Sequence, residues 1–87
     1  MSAPIKILYF AWLRTRIGHA EEQVNLPENV RDVAGLLEWL RARGPRYVEA
    51  LRDLSVIRVA VNQDYVGFDH PVRAEDEVAI FPPVTGG

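Results

Sequence analysis

The residues of this chain best suited to chemistry stand at its end: Phe81-Pro82-Pro83-Val84-Thr85-Gly86-Gly87. Gly86 and Gly87 carry no side chains, so bare backbone can enter a narrow channel, and no Cβ on Gly87 obstructs attack at its carboxylate carbon. Pro82 and Pro83 lack amide protons and have φ fixed. They cannot prolong a sheet, and they favour an extended conformer. Six residues, Pro82 to Gly87, then reach roughly 20 Å from a folded body. Val84 and Thr85 complete that tail. The candidate reactive group is the Gly87 carboxylate.

Other chemistry is thin. The 87 residues include no cysteine, which excludes disulfides, thiolate metal sites and a cysteine nucleophile. Sulfur handled by this chain would not travel as a side-chain persulfide. His19 and His70 are far apart in sequence and lack ligand spacing, so no metal site is expected. Ser2 and Ser55 have no glycine-rich elbow around them. Asp76 and Glu77 read as turn and strand-end charges rather than a catalytic pair. Arg14 and Arg16 read as a solvated turn, and are candidates for meeting an acidic partner surface. A net charge of −2 leaves no broad basic face, so no nucleic-acid partner is expected. The N-terminus has no apolar run of signal or membrane length, which points to a cytoplasmic protein with no membrane partner.

The elements that must carry the tail follow from periodicity. Ile5 to Phe10 alternates as a strand, with Ile5, Ile7 and Tyr9 on one face. Ala11 to Ile17 forms a short helical turn stopped by Gly18, and Glu22 to Leu26 is a second strand ended by Pro27. Val30 to Arg43 is the main helix, with Val30, Val33, Leu36, Leu37 and Leu40 on its apolar stripe, Asn29 as N-cap and Asp32 near the positive end of the dipole. Gly44 and Pro45 end it, and Tyr47 to Asp53 adds a short second helix. Val56 to Val61, Tyr65 to Phe68 and Glu77 to Phe81 are strands, the first two joined by a turn at Asn62-Gln63-Asp64. The order ββαβββ predicts an α+β, β-grasp (ubiquitin-like) domain over 1–81, with the extended tail at 82–87. Its mixed sheet has about five strands, the first and last lie side by side and parallel, and one main helix covers one face.

That arrangement leaves apolar residues on the face away from the helix. Lys6, Arg58 and Glu77 mark that face as solvated, yet Leu8, Phe10, Ala60, Ala79 and Phe81 share it, and Tyr65 joins them from the neighbouring hairpin. They gather near the tail, and a contiguous apolar patch of this kind marks a partner surface.

Two stretches resemble a known family. The opening Ile5-Lys6-Ile7-Leu8-Tyr9-Phe10-Ala11-Trp12-Leu13-Arg14, with Gly18 following, resembles the first strand and turn of molybdopterin synthase small subunits. So does Val61-Asn62-Gln63, then Asp69-His70-Pro71, then Asp76-Glu77-Val78-Ala79, running into Phe81-Pro82-Pro83-Val84-Thr85-Gly86-Gly87. The chain departs from that pattern at Thr15, often acidic in the family, and at Glu75, usually glycine, where the turn type is expected to change. The resemblance implies a sulfur carrier that performs no catalysis alone. A ubiquitin-activating-type enzyme would spend ATP to adenylate Gly87, and a sulfurtransferase would convert it to a thiocarboxylate. The tail would then enter the large synthase subunit, in an assembly of two small and two large subunits, and give its sulfur to a cyclic pyranopterin phosphate. The domain itself would bind no cofactor. Alternatives are a sulfur carrier for thiazole synthesis or tRNA thiolation, a protein modifier attached to lysines, and an interaction domain without C-terminal chemistry.

Overall fold

A computed structural model describes residues 4–83. Val84, Thr85, Gly86 and Gly87, the distal part of the expected tail, lie outside the described residues. Strand β1 (Ile5–Tyr9) leads through α1 (Trp12–Ile17) to β2 (Glu21–Val24). Helices α2 (Val33–Arg41) and α3 (Pro45–Ala50) follow, then a 3-10 turn at Leu54–Val56, and strands β3 (Arg58–Val61), β4 (Asp64–Val66) and β5 (Glu77–Phe81). The sheet order is β2-β1-β5-β3-β4. β1 and β5 are parallel neighbours, and the other pairings are antiparallel. This is the expected β-grasp arrangement.

Alternation determines which side each residue faces. Ile5, Ile7, Tyr9, Val59, Val61, Val78 and Ile80 are buried on one face, and Leu36, Leu37 and Leu40 of α2 are fully buried in the same core. Removing any one of these leucines to alanine would cost about 2–5 kcal/mol, the usual range for a buried aliphatic side chain.

Several boundaries differ from the sequence reading. The helix begins at Val33, not Val30, and its N-cap is Asp32, not Asn29. The Asp32 carboxylate accepts from the Gly35 amide at 2.7 Å. Val33 and Ala34 donate to the carbonyls of His70 and Phe68. The loop after β4 therefore satisfies helix amides that local sequence alone could not. β2 is Glu21–Val24 rather than 22–26. α3 starts at Pro45, where a missing amide costs nothing, and stops at Ala50 instead of Asp53. Residues 54–56 form a 3-10 turn, so β3 starts at Arg58. β4 stops at Val66, because the chain then leaves to cap α2.

Among the described residues, four non-glycine residues adopt positive φ, including Asn62 (51°) and Gln63 (72°) in the β3–β4 hairpin and Glu75 (72°) before β5. A two-residue hairpin loop with both central residues left-handed matches the twist of its strands. At Glu75, a side chain occupies the left-handed conformation that glycine adopts most readily.

Candidate functional site

Strand pairing assembles the outer face row by row. Leu8 lies opposite Ala79, Ala79 opposite Ala60, and Ala60 opposite Tyr65, which crosses four strands with apolar side chains. One row along, Phe81 faces Arg58. In the other direction Lys6 faces Glu77, and Glu77 is held by the Asn62 side chain. The outer face is thus apolar toward the end where β5 releases the tail and polar toward the other end.

The expected patch residues come together there. Phe10 is 47% exposed and Tyr65 80%. The Tyr65 and Phe81 rings pack at 5.4 Å between centroids, tilted by 43°. Phe10, Ala60, Gln63, Tyr65, Ala79 and Phe81 line one open depression. Leu8 is half-buried on the same face and lies just outside it. Ala60 corrects the expectation of exposure: it is only 5% exposed. Its methyl group is the floor of the depression, walled by its paired neighbours. A second depression, lined by Arg58, Val59, Tyr65, Val66, Phe81 and Pro83, adjoins the first across the Tyr65–Phe81 pair. Pro82 and Pro83, both half-buried, lead away from β5 without extending it.

A family model described as the ThiS family matches residues 7–87, nearly the whole chain and including the tail. The chain belongs to the ThiS family. Among its relatives, the molybdopterin synthase sulfur carrier subunit of Escherichia coli (strain K12) is 41% identical over 83 residues, covering 95% of this chain and 99% of the relative. The protein of that name from Dictyostelium discoideum is 35% identical, with all of both chains covered. A solved structure described as a putative molybdopterin converting factor, subunit 1, from Pyrococcus furiosus superposes with a TM-score of 0.76 at 34% identity, over 95% of this chain and 100% of that one.

In this ThiS-family chain one polar cluster escaped the sequence reading. The Glu22 carboxylate accepts from the hydroxyls of Tyr9 (2.7 Å) and Tyr47 (2.8 Å) and from the Arg43 guanidinium (2.7 Å). Arg43 also lies over the rings of Trp39 and Tyr47. The cluster closes the edge of the core where β2, α2 and α3 meet. Burial would raise the Glu22 carboxyl, but the hydrogen bonds from Tyr9, Tyr47 and Arg43, and the Arg43 charge, bring it below its ordinary value. Burial, reinforced by Glu22, pushes the hydroxyls of Tyr9 and Tyr47 up. The cluster is structural: it lies on the helix side of the sheet, away from the patch.

Arg58 and Gln63 line the outer depressions, although the sequence reading gave them no role there. The cross-strand pairing that sets Arg58 beside Phe81 emerges only in the folded sheet. His19 and His70 stand on separate loops. Arg14 and Arg16 lie on α1, with Arg16 stacked on Trp12 at 5.0 Å.

Proposed function

We propose that this chain is the sulfur carrier subunit of a molybdopterin synthase, with the Gly87 carboxylate as its working group. The observation that carries the reading is the family match, which extends through the Gly-Gly tail, together with relatives of that name at 41% and 35% identity. The outer face supports it, since an exposed aromatic and apolar surface sits where the tail leaves the sheet.

The chemistry needs activation. A carboxylate is a poor electrophile. Its oxygen attacks the α-phosphorus of ATP on an activating enzyme, releasing pyrophosphate and leaving an acyl-adenylate. The persulfide sulfur of a sulfurtransferase then attacks the acyl carbon and expels AMP, giving an acyl disulfide. A thiol cleaves its S–S bond, forming a disulfide with the sulfurtransferase cysteine and leaving a thiocarboxylate. The tail enters the large synthase subunit and gives up that sulfur to a cyclic pyranopterin phosphate. A dithiolene needs two sulfurs, so two loaded carriers are consumed per product, in keeping with a pairing of two small and two large subunits. The carrier contributes presentation; acid–base groups and the pterin pocket belong to its partner. Nucleotide meets Gly87 only through the activating enzyme.

The test is intact-mass analysis after incubation with ATP, an activating enzyme and a sulfur donor. The expected result is the mass gain of one oxygen replaced by sulfur, located on Gly87. A variant lacking Gly87 should fold as before and gain nothing. Molybdopterin formation by that variant at the parent's rate would overturn the assignment.

A further inference from the structure

The second depression differs in kind from the first. Tyr65 and Phe81 form a shared wall, and Pro83 stands at its rim where the tail departs. The charged group in it is Arg58, an exposed side chain whose Nη1 donates to the carbonyls of Ser55 (3.1 Å) and Ile57 (3.0 Å). These bonds hold the guanidinium at the strand end and leave other N–H donors for a ligand. Among the described residues no carboxylate lies within ion-pair distance of it.

The surrounding charge is polarised. At the tail end, α1 carries Arg14 and Arg16 with no acid, and Arg46 reaches Gly18 at the end of α1. Nearby, Glu49 is paired with Arg52 and Glu21 with Lys6, which leaves the Asp53 carboxylate, accepting from Ser55, against Arg14, Arg16, Arg46 and Arg58. At the opposite end, Asp64, Glu75, Asp76 and Glu77 gather around the β3–β4 turn and the start of β5. A chain of net charge −2 therefore turns a locally cationic end toward whatever takes its tail.

We propose that Arg58 is a recognition residue that receives a carboxylate side chain of the large synthase subunit, beside the apolar depression and at the root of the tail. The inference rests on the proposed function, since it requires that the C-terminus be handed to that subunit. The occupant follows from the site. An arginine fork pairs with a planar carboxylate in two-point fashion, and Tyr65, Phe81 and Pro83 would exclude water around the pair once docked. Arginine flanked by aromatic side chains is the composition from which interface hot spots are made.

The experiment is calorimetric titration of the full chain into the large subunit at low and high salt. Arg58→Gln should weaken binding about tenfold or more, as for a charge pair that loses one partner on docking. Arg58→Glu should weaken it further, and Arg58→Lys should fall between parent and Arg58→Gln. The parent's affinity should drop more steeply with salt than that of Arg58→Gln. Thermal unfolding of each variant checks that the domain is intact; Arg58 is exposed, and Arg58→Lys keeps a donor for the strand-end carbonyls. Parent-like affinity and salt dependence in both Arg58→Gln and Arg58→Glu would overturn the proposal. So would a loss of affinity confined to the activating enzyme. Failure of the underlying functional reading looks different: the parent itself would not bind the large subunit or acquire a thiocarboxylate.

Discussion

The carboxylate of Glu22, bonded by two tyrosine hydroxyls and a guanidinium, gives stability a dependence on pH with a definite sign. Its folded value lies below the ordinary 4.5. The contribution is therefore complete above that ordinary value and is lost as pH falls through the lower folded one. The tyrosines act oppositely. Their raised values give a contribution complete below 10.0 and lost as pH climbs above it. Glu22→Gln should cost about 1.5–3 kcal/mol at pH 7, the scale of hydrogen bonds to a charged group. The gap between parent and variant should close in acid, as urea unfolding at a series of pH values would show. Glu75 makes the opposite case. Its φ of 72° strains a side chain where glycine would not be strained. Glu75→Gly should raise stability by about 0.5–1 kcal/mol, since the relief outweighs the glycine's extra freedom in the unfolded chain. A lower urea midpoint for this variant would show that the turn is unstrained. The departure at Glu75 was legible in the sequence as a missing glycine. The Glu22 cluster was not, because its partners lie 13, 21 and 25 residues away, and only the folded sheet edge and the α2–α3 corner bring them together.

Among the elements, strands were read more accurately than helix ends. Alternation in β1 and β5 is local and strict, so their faces follow from the sequence. The start of α2 is settled by contacts from elsewhere. Asn29 and Asp32 are both acceptable caps by residue type, and the chain chooses Asp32 because the loop at 68–70 supplies carbonyls to Val33 and Ala34. Asp32→Ala should cost about 1 kcal/mol, the usual effect of losing a capping side chain, whereas Asn29→Ala should be nearly silent. Paired chemical unfolding curves would decide, and equal losses would move the cap back toward Asn29. The short ends of β3 and β4 have similar origins: the 3-10 turn at Leu54–Val56 delays one strand, and the excursion that caps α2 curtails the other.

For the whole molecule, topology was legible because one amphipathic helix between strand pairs leaves few ways to close a sheet. The outer patch was legible as apolar residues of the wrong parity. Its division into an apolar and a cationic depression was not, since that depends on how Tyr65 leans against Phe81. Together the parts predict that the tail alone is a poor donor. Ordering a free tail costs about 1–2 kcal/mol per residue in backbone entropy, and Val84-Thr85-Gly86-Gly87 offers few side-chain atoms in return. A synthetic tail thiocarboxylate should therefore donate sulfur only at concentrations far above those needed for the whole carrier, which gains effective concentration by docking. Titrating both donors against the same large subunit checks this, and comparable half-saturation would make the outer face a bystander. The sheet order also has a mechanical meaning. A pull on the tail, with the body held, drags β5 lengthwise between β1 and β3. The rungs on both its flanks then resist together in shear, whereas an edge strand peels away one rung at a time. The strand that carries the tail is thus the one best gripped by its neighbours, and a partner can draw the tail taut and release it, cycle after cycle, without unravelling the carrier.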